Sequence, residues 1–185
     1  MSLLDIRVLG DPILREETIP VTAFTADLAR LIDDMFETMD LAKGIGLAAP
    51  QVGRRERVTV IQVDDDRYVL INPEIVEREG SAKAEEGCLS IPDVYADVER
   101  ATRVLVRALD RDGKPFEVEA TDLLARCMQH EIDHLLGRLF IDHLSVLKRR
   151  AALAKWTKGK DKYPNFTRRL SAADVASHHH RDEEL

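Results

Sequence analysis

His130 and His134 stand four residues apart, with Glu131 beside the first, in the run Gln129-His130-Glu131-Ile132-Asp133-His134. On a helix, residues i and i+4 lie one above the other on the same face, so the two imidazoles address one point in space. That is how a helix presents two ligands to a first-row metal ion. Glu131 lies about 100° further round. It is offset from the ligand pair yet close enough to touch a water held there. The same spacing arises by chance on solvated helices. Here, however, it runs into Leu135-Leu136-Gly137-Arg138-Leu139-Phe140, which is too apolar for a solvated face.

Two histidines leave the set short of a protein ligand. Downstream, His143 falls on another element, and no further histidine follows at zincin spacing. Upstream, Cys88 sits between Gly87 and Leu89 in a short extended segment. A thiolate is a strong ligand for a borderline metal, and metal binding deprotonates it. A closed structural zinc site needs another cysteine at close spacing, and Cys127 is the only other one. Cys127 reads most simply as a small core residue. One cysteine with two histidines leaves a coordination position open, which is a catalytic arrangement.

The elements that must position these groups are legible. Asp122 to Leu136 reads as the metal helix, with Asp122 as N-cap, Leu124, Cys127, Met128, Leu135 and Leu136 at helical spacing, and Gly137 as the stop. Thr25 to Lys43 is a second helix whose stripe of Leu28, Leu31, Ile32, Met35, Phe36 and Met39 faces a core. Gly44–Gln51 reads as a loop of small residues ending in one amide, Gln51. Its G-x-G lacks the third glycine and the preceding strand of a dinucleotide site. Val58–Val63 and Tyr68–Ile71 form a hairpin around a solvated Asp64-Asp65-Asp66 turn, and Ile75–Arg78 adds an edge. Arg103–Leu109 and Phe116–Ala120 are further strands, and Ser145 to about Lys158 is a C-terminal helix. The expected fold is α+β, with antiparallel sheets packed around a central metal-binding helix. Residues 1–170 are expected to form one catalytic domain, with the C-terminal helix at about 145–158 and a flexible polar tail at 171–185.

The chain has 185 residues, 44% hydrophobic and 33% charged, as in ordinary globular proteins. No apolar run suggests a membrane span, and the start of the chain lacks the pattern of a secretory signal, so the expected location is cytoplasmic. The net charge is −7. Yet residues 145–170 carry nine basic side chains against one acid, Asp161, which suggests a polyanionic docking partner. No motif for sequence-specific DNA binding is present.

Three motifs in order, G-I-G-L-A-A-P-Q at Gly44–Gln51, E-G-C-L-S at Glu86–Ser90 and Q-H-E-I-D-H at Gln129–His134, resemble the signatures of bacterial peptide deformylases. The resemblance runs from about Ile6 to the C-terminal helix. It implies a metal-dependent hydrolase that removes the formyl group from N-formylmethionine on new proteins. It also implies Cys88, His130 and His134 as metal ligands, Glu131 as catalytic acid and base, and Gln51 and the Leu89 N–H facing the reacting carbonyl. The family's metal is Fe²⁺, with Zn²⁺, Ni²⁺ or Co²⁺ as replacements.

By the same resemblance, Ile45, Leu123, Cys127 and the Glu86-Gly87 segment line a methionine pocket, and Gly46 lets a peptide lie along the loop. There are two departures. Arg126 stands where relatives often carry an aliphatic residue, and is expected at the pocket rim with its head in water. Tyr95 stands where some relatives place an arginine that contacts the substrate. The basic segment is a candidate for ribosome docking. The rival readings are an H-E-x-x-H peptidase of other specificity and a metal-stabilised binding module.

Overall fold

A computed structural model of the chain describes residues 2–171. The mixed α+β architecture expected from the sequence is present, with antiparallel sheets and a C-terminal helix. Five strands form the main sheet: β2 (Gly46–Ala48), β3 (Val58–Val63), β4 (Asp66–Glu79), β7 (Arg103–Leu109) and β8 (Pro115–Thr121), in the order β2-β3-β4-β7-β8. Strands β5 (Ala82–Cys88) and β6 (Ile91–Arg100) make a separate hairpin. The short β1 (Ile6–Arg7) pairs with β9 (Thr167–Arg168). Helices α1 (Ala26–Leu41), α2 (Asp122–Leu135) and α3 (Val146–Gly159) complete the fold. Among the described residues, no helix is long and apolar enough to cross a membrane.

Strand β3 explains the layering. Its residues alternate between faces, as side chains on a strand must. Val58 and Val60 join the α1 stripe of Leu28, Ile32, Met35 and Met39 in one cluster. Ile61 faces the other way, towards Met128 and Ile132 of α2. A strand covered on both faces reads as a continuous apolar run, and V-T-V-I-Q-V does. Truncating a fully buried residue of this kind, such as Met128, typically costs about 2–5 kcal/mol. A third cluster holds α3 through Ala152 and Trp156, one turn apart, against Val94 and Val98 of β6 and Phe140.

Three local expectations need correction. The Gly44–Gln51 stretch is not all loop: Gly46–Ala48 pairs with β3, and Ala49–Val52 forms a 3-10 turn. Ile75–Arg78 is no edge, because β4 continues through it and pairs with β7 in the middle of the sheet. The cap of α2 is Thr121, and Asp122 is its first residue, at φ 51°. The chain beyond α3 makes two more 3-10 turns and β9. Gly137 ends α2 as expected, at φ 71°, and its N–H reaches the His134 carbonyl. Apart from Ser171, the expected tail 171–185 lies outside the described residues.

Candidate metal centre

Helix α2 is buried on most of its circumference, including the polar Gln129, Glu131 and His134. Cys88 reaches it from the end of β5. There a register shift between Glu86 and Cys88 re-aims the strand beside the turn into β6. The Cys88 Sγ lies 3.3 Å from His134 Nε2, which lies 3.2 Å from His130 Nε2. All three donor atoms fall within 4.8 Å of one another. Bond lengths of about 2.0–2.1 Å to nitrogen and 2.3 Å to sulfur put tetrahedral donors roughly 3.3–3.6 Å apart. The donor set fits a divalent first-row ion in spacing and in chemistry.

The two imidazoles differ in their support, for the buried His134 Nδ1 has no hydrogen-bond partner among the described residues. His130 Nδ1 lies 2.9 Å from Glu86 Oε2. A proton held there leaves Nε2 free as a donor, the usual arrangement behind a ligating histidine. Burial opposes charge on His130, but Cys88 and Glu86 outweigh it and hold its pKa well above the ordinary value. Burial and the neighbouring His130 push His134 well below that value, so its ring is neutral.

Glu86 is the hub of a buried network. Its carboxylate accepts from Arg100 Nε at 2.8 Å and Nη2 at 3.0 Å, and from Arg126 Nη1 at 2.9 Å. Arg100 also reaches Asp133 at 2.6 Å, and Asp133 in turn meets His143 at 2.7 Å. Burial raises the Glu86 pKa, but His130 and Arg100 more than reverse this and keep it far below the usual carboxylate range. Arg126 departs from expectation. Its head is not in water but donates to Glu86, to the Val98 carbonyl and to the Ala82 carbonyl, the last two at 2.8 Å. The guanidinium is held because the β5–β6 hairpin offers it a carboxylate and two free carbonyls at once.

Glu131 is the other buried acid. Its Oε2 has no hydrogen-bond partner among the described residues. Burial pushes its pKa up to about 7 against the pull of His130. Gly46 makes room for it, since a Cβ there would overlap the Glu131 carboxylate. Gln51 is buried as well. Its Oε1 accepts from the Ala48 N–H at 2.9 Å, while Nε2 points at Ser90 Oγ (3.1 Å) and Cys88 Sγ (3.6 Å). Burial pushes the Cys127 thiol up, so it is no nucleophile.

These groups border one cleft of about 470 Å³. Its lining includes every substrate-contact candidate read from the sequence: Ile45, Gly46, Glu86, Gly87, Tyr95, Leu123, Arg126 and Cys127. Gln51, Cys88, Leu89, His130 and Glu131 line it too. Ile45 and Leu123, 43% and 53% exposed, put apolar surface at its mouth. Arg100, Asp133, His143 and Ser90 escaped sequence reasoning, because pairings between distant residues leave no periodic trace.

The model of the polypeptide deformylase family matches residues 3–150 of this chain. The chain belongs to that family. A peptide deformylase of Alkalilimnicola ehrlichii is 56% identical over 162 residues, covering 85% of this chain and 91% of the relative. The crystal structure of a peptide deformylase from Legionella pneumophila matches with a TM-score of 0.83 at 49% identity, over 86% of this chain and 96% of that one. A Synechococcus elongatus peptide deformylase solved with actinonin gives 0.79 at 45%, over 82% and 86%. The chain is therefore a metal-dependent hydrolase that removes formyl groups from nascent peptides. The family implies a divalent metal, and the cysteine and two histidines are a donor set for one.

Proposed function

We propose that Cys88, His130 and His134 hold the metal, that Glu131 is the general acid and base, and that Gln51 and the Leu89 N–H stabilise the oxyanion. The observation that carries this reading is the convergence of one thiol and two imidazoles beside a buried carboxyl group whose Oε2 has no partner. A divalent ion held there supplies an acidified water and Lewis-acid pull on a carbonyl oxygen. Glu131 takes the proton of the attacking water as its oxygen bonds to the formyl carbon. It then hands that proton to the α-nitrogen as the C–N bond breaks, releasing formate and a free amino terminus. A pKa near neutrality suits both transfers. Losing one oxyanion donor such as the Gln51 amide costs about 3–4 kcal/mol of transition-state stabilisation.

The methionine side chain enters between Ile45, Leu123 and Cys127, over the Glu86-Gly87 segment, and the peptide backbone lies along Gly46. Tyr95 supplies a hydroxyl at the mouth, while Arg126 holds the pocket floor through Glu86. Fe²⁺ is the physiological metal, with Zn²⁺, Ni²⁺ or Co²⁺ able to replace it, since the donors suit all four. The enzyme works in the cytoplasm as one catalytic domain over residues 1–170. It docks on the ribosome through the basic 145–170 segment, where Lys148, Arg149 and Arg150 follow the exposed Val146 and Leu147. Anaerobic purification with elemental analysis tests the metal. Hydrolysis of formyl-Met-Ala, set against an unformylated and internally cleavable peptide, tests the reaction and its site. Cleavage of the second peptide alone would refute it.

A further inference from the structure

The far wall of the cleft is built by residues that the family match does not reach. Helix α3 and the turns after it carry the chain back to the N-terminal arm, where Ile6 pairs with Arg168 and the Val8 N–H reaches the Phe166 carbonyl at 2.9 Å. The same arm is tied to the metal-binding loop, for the Leu9 N–H donates to the Ser90 carbonyl at 2.8 Å. This return segment brings Tyr163 and Arg168 into the same cleft lining as Ile45, Leu123 and Cys127. Both lie beyond residue 150, where the family match ends. Tyr163 is fixed by stacking on Trp156, with ring centroids 5.9 Å apart and planes within 12°.

Past Tyr163 a second hollow of about 230 Å³ continues the surface, sharing Pro92, Asp93 and Tyr163 with the cleft. Lys155, Lys158 and Lys162 line it. None of these lysines, nor Arg168, has an ion-pair partner within 4.0 Å among the described residues. Arg168 shares the cleft lining with the acids Glu85, Glu86, Asp93 and Glu131, while the three lysines of the adjoining hollow share theirs with Asp93. A substrate that extends along the cleft past Pro92 and Asp93 brings its later residues to Tyr163 and Arg168.

We propose that Arg168, Lys155, Lys158 and Lys162 form a downstream subsite that selects formyl-methionyl peptides with acidic side chains beyond the second residue. The inference rests on the deformylase reading of the cleft and adds a specificity to it. Opposite charges at an open groove gain little each, but several together favour encounter and lower KM at low ionic strength.

The test uses the metal-loaded full chain and formyl-Met-Ala peptides continued by Glu-Glu, Gln-Gln or Lys-Lys. All are amidated, so that side chains are the only carboxylates. At low salt kcat/KM is expected to be about three- to tenfold higher for Glu-Glu than for Lys-Lys, carried by KM and erased by high salt. Arg168→Gln brings the ratio towards one, and Arg168→Lys restores it. Lys158→Gln with Lys162→Gln changes two exposed side chains and lowers the same ratio independently, should the Arg168 variant fold poorly. Equal rates for the acidic and basic peptides, or a preference that survives in both variants, overturns the proposal. So does a lysine variant that loses ribosome co-sedimentation while keeping the peptide ratio, which would assign these cations to nucleic acid. Turnover of formyl-Met-Ala amide, which ends short of the cations, reads the deformylase assignment separately.

Discussion

Glu86 Oε2 stands 2.9 Å from His130 Nδ1, and the same carboxylate is gripped by Arg100 and Arg126 from its other sides. One buried anion thus orients an imidazole of the candidate metal site and pairs with two guanidinium groups, one of them shared with Asp133. Replacing it by Gln keeps the shape and removes the charge. Glu86→Gln is expected to weaken metal binding by about 10–100-fold, and to destabilise the fold by roughly 3–5 kcal/mol, because Arg126 loses its carboxylate and Arg100 is left with Asp133 alone. Chelator competition reads the first and urea denaturation the second. Unchanged metal affinity would mean that His130 does not need its partner.

Glu131 is buried beside the donors without being one of them. Glu131→Ala is expected to retain the metal while turnover falls about 10²–10⁴-fold. Elemental analysis alongside the formyl-peptide assay separates the two effects. Substantial residual activity would move the proton transfer to another group.

Gly46 touches the same carboxylate from strand β2. Gly46→Ala is expected to fold, with a near-native circular dichroism spectrum, but to lose activity about tenfold or more, since small displacements of catalytic groups are costly. Crystallography of the variant should show Glu131 displaced. Wild-type kcat would show that the side chain has room to yield.

Acid stability follows from Asp142. Partial burial raises its pKa, but Arg15, 2.5 Å away, and the Leu139 N–H reverse this and hold it below the ordinary value of 3.8. Its contribution is therefore fully present above that value and is lost as pH falls through the lower, folded one. Urea midpoints measured between about pH 2 and 5 should fall less steeply for Asp142→Asn than for the wild type. Parallel curves would show that the pair adds nothing.

Much of the site was legible because its chemistry is local. The i, i+4 histidines and the neighbouring Glu131 announce themselves on one helix, and Cys88 was the one thiol outside that helix to complete the set. The three helices carried clear periodicity or caps. What was not legible depends on contacts between distant residues. Nothing in the sequence pairs Glu86 with Arg100, or turns the Arg126 guanidinium inward to two carbonyls of the β5–β6 hairpin. Strand β2 was hidden because Gly-Leu-Ala has no strand signature and exists only by pairing with β3. The return segment was missed for a similar reason: Tyr163–Arg168 is short and polar, and its structure comes from the N-terminal arm it meets.

That meeting has a consequence for how the molecule is made. Ile6 and Arg7 are made about 160 residues ahead of the strand they pair with, Thr167–Arg168. The loop they close spans about 160 residues, so its entropic cost is met only once the interior has already condensed. An enzyme that trims other chains while they are still growing can seat this early strand of its own only after Thr167–Arg168 has been made.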